Sequence, residues 1–199
     1  MAVEAGASAL GLVSAMPSGP GPISEAEIAE IAPRVPPGVA TFLLTCSQNG
    51  DEIIDQLHRT RCNTVQLCDE LPTRDYKQIR RECPAVRIVQ VIHVQDEDSL
   101  AEAKGVVSHV DAILLDSGRP RAATKELGGT GRVHDWQISR RIRDAVQVPV
   151  FLAGGLRPDN VRDAIEQVQP FGLDLCTGVR TDGRLDRDKL HAFMSAVHA

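Results

Sequence analysis

Two glycine-containing segments near the C-terminal end of the chain have the residue types of an anion-binding site. Gly154 and Gly155 follow one apolar run, and Thr177 and Gly178 follow the next. Glycines at adjacent strand ends let backbone N–H groups approach an anion closely, as in the phosphate sites after the last two strands of α/β barrels. Either pair alone is explained as well by a tight turn. Together, on consecutive strands, the two pairs favour a phosphate site.

Two aspartates in or beside apolar runs are candidates for proton transfer. Asp116 ends the run Ile113-Leu114-Leu115, where burial would raise its pKa and suit it to act as a general acid. Capping a nearby turn is the structural alternative. Asp174 lies between Leu173 and Leu175, and a carboxylate in an apolar strand is costly unless it faces partners at the mouth of a barrel. A buried structural acid fits that position equally well.

A third glycine-rich segment contains Gly128, Gly129, Thr130 and Gly131. It lies between Asp116 and a helix start at Asp135, in a connection too long for an ordinary strand-to-helix loop. Such a segment is typical of a mobile cover over an active site, and equally of a flexible surface loop.

The composition narrows the classes of partner. The 199 residues are 42% apolar and 25% charged, with a net charge of −5, so no basic surface for nucleic acid or anionic membrane is indicated. No run of about 18 apolar residues and no signal-peptide pattern occurs, which predicts a cytoplasmic protein. The five cysteines and six histidines show no metal-ligand spacing. We expect free thiols and no metal.

The candidate site residues are positioned by a repeating pattern along the chain, in which short apolar runs alternate with amphipathic helical segments. The pattern repeats seven times, and most runs are continuously apolar, as strands covered on both faces require. It predicts one α/β domain over residues 1–199, with a parallel sheet. The predicted strands are Ala9–Ser14, Ala40–Cys46, Thr64–Cys68, Val86–Val94, Ala112–Asp116, Val148–Ala153 and Gly172–Cys176.

Capping residues mark the predicted helix starts. The last helix spans roughly 186–197, with Leu190, Phe193 and Val197 on one stripe. The other starts are at Ser24, Asn49, Thr73, Asp96, Asp135 and either Asp159 or Asn160. Residues 2–6 have the pattern of a final helical turn with Gly6 as its left-handed cap. We therefore expect an eight-stranded barrel whose first strand and most of whose first helix would lie ahead of Met1.

Seven segments in chain order resemble phosphoribosylanthranilate isomerase, a barrel enzyme of tryptophan biosynthesis. Each segment alone is weak, but the ordered set is specific and extends from Ala2 almost to the C-terminus. The segments are Val3-Glu4-Ala5-Gly6-Ala7, Thr64-Val65-Gln66-Leu67, Leu114-Leu115-Asp116-Ser117, Gly128-Gly129-Thr130-Gly131, His134-Asp135-Trp136, Gly154-Gly155-Leu156 with Pro158-Asp159-Asn160-Val161, and Gly178-Val179.

The resemblance implies a TIM-type (β/α)8 barrel and an Amadori rearrangement, in which an aminoaldose becomes an aminoketose. The family uses an aspartate as acid and a cysteine as base, without metal or organic cofactor. By motif match Asp116 is the acid, Asp174 faces the ribose, and Gly128, Gly129 and Thr130 contact substrate. The backbone around Gly154, Gly155, Thr177 and Gly178 is expected to hold the phosphate.

The chain departs from the family pattern at three places. The family's strand with the catalytic cysteine has no counterpart. The loop Ser18-Gly19-Pro20-Gly21-Pro22-Ile23-Ser24 lacks the family's basic residue, and Cys68-Asp69 replaces a His-Gly pair. The first departure removes the family's catalytic base from this chain, and the other two change residues expected to recognise anthranilate.

Three explanations for the missing base follow. The first is that Met1 is an internal methionine and the complete protein keeps the strand with its cysteine. The second is that another thiol substitutes, with Cys176 better placed than Cys46 or Cys68. The third is that the barrel binds a sugar phosphate without turnover. A small residue in a phosphate loop is the structural alternative for Cys176, and a packed thiol with a raised pKa would be inert.

The predicted function is isomerisation of N-(5-phosphoribosyl)anthranilate to 1-(o-carboxyphenylamino)-1-deoxyribulose 5-phosphate, an intramolecular oxidoreductase reaction. The alternatives are a non-catalytic sugar-phosphate-binding barrel and a related phosphoribosyl sugar isomerase, such as one of the histidine pathway. The expected partner is the phosphorylated sugar alone, bound by a monomer or homodimer, with no nucleic acid or membrane.

Overall fold

The computed structural model describes residues 1–129 and 131–198. Within them, a sheet of seven parallel strands follows chain order from the first strand to the last, as the sequence predicts. The strands are β1 (Ala9–Val13), β2 (Ala40–Thr45), β3 (Thr64–Leu67), β4 (Arg87–His93), β5 (Ala112–Asp116), β6 (Val150–Leu152) and β7 (Gly172–Leu173).

The last strand is shorter than the predicted Gly172–Cys176. The backbone N–H of Asp174 still donates to the Leu152 carbonyl at 2.8 Å, after which the chain leaves the sheet. It then forms a short 3-10 helix at Thr177–Val179. Pairing stops because β6 ends at Leu152 and the chain that follows turns at Gly154 and Gly155, which have φ 83° and 64°.

In the described part of the chain, seven α-helices cover the outside of the sheet: α1 (Glu25–Ile31), α2 (Gly50–Thr60), α3 (Thr73–Glu82), α4 (Asp98–Val106), α5 (Trp136–Ala145), α6 (Val161–Val168) and α7 (Arg187–His198). Ser24, Asn49 and Asp135 are side-chain caps, as predicted, and Ser24 forms a capping box with Glu27. Asn160 precedes α6 as expected, but its side-chain oxygen accepts from Arg157 N rather than from the helix.

The sheet is strongly curled. Phe42 on β2 and Phe151 on β6 meet edge to face with ring centroids 6.2 Å apart. Four strand spacings in a flat sheet would separate these positions by roughly 19 Å. The sheet therefore encloses an interior, and the seven strands form the wall of an incomplete (β/α)8 barrel.

Two apolar clusters follow from strand alternation. Residues such as Leu43, Ile88 and Leu115 point outward and pack under the helices, whereas Val89, Val91 and Leu114 point into the barrel. Asp116 shares the parity of Leu114 and so projects into the interior at the carboxyl end of β5. The alternation thus directs the candidate acid to the mouth of the barrel.

Within the described residues, β1 and β7 are the sheet edges and are not paired with each other. Before β1, Gly6 has φ 99°, and the bonds Ala7 N to Ala2 O and Gly6 N to Val3 O form the predicted helix-end cap. After β7, a two-stranded hairpin of β8 (Arg180–Thr181) and β9 (Arg184–Leu185) precedes α7. No helix in residues 1–129 or 131–198 has the length and apolarity to cross a membrane.

Candidate active site

A cleft with about 350 Å³ of empty space lies at the carboxyl ends of β5, β6 and β7. Nearly all the residues singled out from the sequence as chemical candidates meet there. Its lining consists of Asp116, Gly129, Gly131, Ala153, Gly154, Gly155, Leu156, Asp174, Leu175, Cys176, Thr177 and Gly178.

Asp116 is buried at the end of β5, directly beside His93 in the sheet register. Its Oδ1 accepts the backbone N–H of Ser117 at 2.8 Å. The other carboxylate oxygen faces Gly128, where an added methyl group would lie 3.0 Å from it. One oxygen is thus fixed by the backbone, and the other is covered by a residue without a side chain.

Asp174 is half-buried and lines the same cleft as Asp116. Burial, and then the negative charge of Asp116, raise the pKa of Asp174 to about 6. Asp174 is the second carboxyl group that the sequence singled out, and its raised pKa makes it a group that can carry a proton near neutral pH.

Gly154 and Gly155 adopt φ 83° and 64°, a conformation that glycine tolerates. A side chain at Gly155 would also collide with Arg132, its Cβ lying 2.6 Å from the Arg132 carbonyl carbon. Across the cleft, a methyl group on Gly178 would lie 2.0 Å from the Leu156 carbonyl oxygen. The backbone segments after β6 and β7 therefore pack directly on each other, and the four predicted phosphate-site residues come together.

The long connection between β5 and α5 folds over the mouth. Leu127 packs into the interior cluster, and Gly129 contacts Pro20 in the loop after β1. Ser18 Oγ donates to the Lys125 carbonyl at 2.7 Å, and Lys125 forms an ion pair with Asp69 after β3. The segment lies over the cleft, which favours the cover over the surface-loop interpretation, and its mobility stays a prediction. Thr130, also predicted to contact substrate, lies outside the described residues.

His134 is a site neighbour that sequence reasoning used only as part of a motif. Its Nε2 lies 2.7 Å from Ser139 Oγ, and a methyl group on Gly154 would lie 3.1 Å from its Nδ1. Burial lowers the pKa of His134 to about 4, against the opposing charges of Asp116 and Asp135. The imidazole is therefore neutral at neutral pH. The separation of His134 and Gly154 along the chain matches no helix or strand repeat, so the sequence does not predict this contact.

Three thiols lie at the mouth, but none has the character of a base. Burial raises the pKa of Cys46, Cys68 and Cys176, and for Cys68 the charge of Asp116 adds to the effect. A thiol with a raised pKa is a poor proton acceptor at neutral pH. No cluster of three or more histidine, cysteine or acidic side chains suited to a metal ion occurs in residues 1–129 and 131–198.

A protein-family model described as N-(5′-phosphoribosyl)anthranilate (PRA) isomerase matches residues 2–196. Curated relatives carry the same activity in their names. The Methanocella arvoryzae enzyme is 35% identical over 179 residues, covering 90% of this chain and 82% of its own. The Haloferax volcanii enzyme is 36% identical over 195 residues, covering 97% and 84%.

Solved structures agree with the sequence relatives. Phosphoribosyl anthranilate isomerase from Thermotoga maritima superposes with a TM-score of 0.82 at 29% identity, covering 99% of this chain and 91% of that one. A phosphoribosyl anthranilate isomerase in complex with reduced 1-(o-carboxyphenylamino)-1-deoxyribulose 5-phosphate gives 0.81 at 27% identity, covering 99% and 90%. Both comparisons span the whole barrel wall and its mouth.

Proposed function

The chain belongs to the N-(5′-phosphoribosyl)anthranilate isomerase family, and from this premise we propose how its cleft performs the family's reaction. The enzyme is an aldose–ketose isomerase of tryptophan biosynthesis. Its substrate is N-(5-phosphoribosyl)anthranilate, and its product is 1-(o-carboxyphenylamino)-1-deoxyribulose 5-phosphate. The observation that carries the proposal is the meeting of Asp116, Asp174 and both glycine pairs in one cleft.

The phosphate binds to the backbone around Gly154, Gly155, Thr177 and Gly178. Within the described residues, the backbone N–H groups of Gly155 and Gly178 donate to no backbone carbonyl. Gly178 also belongs to the first turn of the short 3-10 helix, whose N–H groups have no partner within the helix. Free N–H groups in a tight glycine turn suit a phosphate dianion.

Asp116 is the general acid. It donates a proton to the furanose ring oxygen, the C1–O bond breaks, and the nitrogen lone pair forms a C=N bond with C1. Transfer of the C2 proton to a base then gives an enolamine, which takes up a proton at C1 and becomes the aminoketose. Asp174 lies beside Asp116 and contacts the ribose, while Gly128 and Gly129 cover the substrate. No metal or organic cofactor is needed for these proton transfers.

Asp116→Asn tests this assignment. The variant removes the acidic proton but retains an oxygen that can accept the Ser117 N–H, so the local fold should be kept. We expect turnover, followed by the loss of substrate fluorescence, to fall by about 100-fold or more. Equilibrium binding of the reduced product analogue should change much less. Equal turnover by the variant and the parent would contradict the assignment.

The same assay tests the alternatives. If the parent binds the reduced product analogue without turning substrate over, it is a sugar-phosphate-binding barrel. Turnover regained by a form extended with the gene's codons upstream of Met1 would assign the base to that segment. If Cys176→Ser abolished an activity that the parent possesses, Cys176 would be the base despite its raised pKa. Isomerisation of a histidine-pathway sugar phosphate instead would support the related-isomerase alternative.

We also propose that the protein is one compact domain that works in the cytoplasm, as a monomer or a homodimer. The support is its membership of an amino-acid-biosynthetic family, one of whose members, from Thermotoga maritima, is described as dimeric. Sedimentation equilibrium distinguishes the two states.

A further inference from the structure

Arg180 extends from the segment after β7 towards the loop after β1. Its Nη1 donates to the Gly183 carbonyl at 2.8 Å, and its guanidinium lies close enough to the Cys176 thiol to oppose the effect of burial on the thiol pKa. Cys176 lines the cleft. On the far side, a methyl group on Gly21 would lie 3.5 Å from Nη2. The guanidinium thus lies at the mouth, between the two edges of the sheet.

Three other cations around the mouth form ion pairs with carboxylates. Lys125 pairs with Asp69, Arg132 with Glu126 and Arg157 with Asp159. Arg180 has no carboxylate partner among the described residues and is half-buried. The loop that it faces, residues 18–24, contains no lysine or arginine. Arg180 is therefore the cation at this edge with N–H groups left for an external anion.

We propose that Arg180 binds the aromatic carboxylate of the substrate and selects an anthranilate over an uncharged aniline. This inference rests on the proposed function, which gives the substrate an anion at each end. Backbone N–H groups hold the phosphate, the two aspartates lie at the sugar, and Arg180 holds the carboxylate. The planar guanidinium can offer two parallel N–H groups to a carboxylate, a geometry that a single ammonium group lacks.

A pair of ligands isolates the contact. One is reduced 1-(o-carboxyphenylamino)-1-deoxyribulose 5-phosphate, and the other is its phenylamino counterpart without the carboxyl group. We expect Arg180→Met to weaken binding of the first by about 10- to 100-fold and to leave binding of the second within about twofold. Arg180→Lys should bind the carboxylated ligand more tightly than Arg180→Met does, since it keeps the positive charge but loses the two parallel N–H groups. In turnover, the loss should appear mainly in KM.

Arg184→Met is the matched control, because it removes an exposed arginine from the same hairpin. It should leave both affinities unchanged. If Arg180→Met weakens both ligands equally, Arg180 supports the phosphate site or the fold, and the inference is overturned. Unchanged affinity for the carboxylated ligand also overturns it. If the parent binds neither ligand, the proposed function itself fails, an outcome distinct from the other two.

Discussion

At the scale of single residues, the site combines titratable groups with opposite pKa shifts. Burial raises the pKa of Asp174 to about 6 and lowers that of His134 to about 4, because in each case it disfavours the charged form. The negative charge of Asp116 adds to the first shift and opposes the second. The mouth of the barrel therefore favours a neutral imidazole at His134 and, at Asp174, a carboxyl group that gains a proton at a higher pH than usual.

The shift of His134 predicts a pH-dependent stability. In the unfolded chain His134 binds a proton as the pH falls below 6.5, whereas in the folded chain it binds this proton only near pH 4. The stability associated with the neutral imidazole is thus fully present above pH 6.5 and is lost as the pH falls towards 4. We expect the parent to lose about 1–2 kcal/mol more than His134→Phe between pH 7.5 and pH 5.

Urea unfolding at the two pH values measures this difference. Loss of the Ser139 contact lowers the free energy of unfolding of the variant by a similar amount at both pH values. Asp174 is present in the parent and in the variant, so its titration cancels in the comparison. His191→Gln, on the exposed face of α7, reports the effect of removing a surface imidazole. Parallel pH profiles for the parent and His134→Phe would contradict the assigned shift.

At the scale of elements, short backbone segments build the phosphate site. The turn after β6 has two successive left-handed glycines, and the 3-10 helix after β7 packs on that turn through Gly178. Neither segment has side-chain bulk where the two meet. The anion site consequently depends on close contact between two backbones.

Gly178→Ala tests that dependence. Its methyl group would meet the Leu156 carbonyl oxygen at 2.0 Å, so one of the segments must move. We expect a loss of about 2–3 kcal/mol in the free energy of unfolding, and at least tenfold weaker binding of inorganic phosphate. Chemical denaturation and calorimetry measure the two effects.

Gly105→Ala provides the control, because Gly105 lies in α4 and an added methyl group there meets nothing within 4 Å. It should stabilise the protein by about 0.5–1 kcal/mol without affecting phosphate binding. Normal phosphate affinity in Gly178→Ala would mean that the two segments do not form the anion site.

At the scale of the whole molecule, loops from distant strands hold one another over the mouth. The connection after β5 receives a hydrogen bond from Ser18, after β1, and Lys125 within it pairs with Asp69, after β3. Asp69 is 6% exposed, so its carboxylate depends on that partner more than a surface group would. The cover is thus tied to the barrel at two points.

Lys125→Met should destabilise the protein by about 1–2 kcal/mol, since it leaves the Asp69 carboxylate buried and unpaired. The value is limited by the exposure of Lys125, whose side chain is 42% exposed. In a double-mutant cycle, Asp69→Asn combined with Lys125→Met should recover much of the loss. Purely additive changes in the free energy of unfolding would show that the pair does not couple the loops.

Much of the fold follows from local patterns. The strand at Ala112–Asp116 is buried throughout, and its first four residues are apolar, because helices and interior cover both faces. Ser24, Asn49 and Asp135 cap helices with their own side chains. Periodicity, capping and turn chemistry act within a few residues, so the sequence alone predicted the seven strands and most helix starts. Parallel order brings strand ends together, which also located Asp116 and both glycine pairs at one edge.

Tertiary structure decided what depends on distant neighbours. Strand β7 ends early because β6 does, and a raised pKa occurs at Asp174 because burial and the Asp116 charge act there together. His134 lies close to Gly154, and Arg180 lies close to Gly21. Neither separation along the chain matches a helix or strand repeat, so the sequence pattern does not predict these contacts. Burial and electrostatic fields are sums over the folded molecule, so no local pattern of residues specifies them.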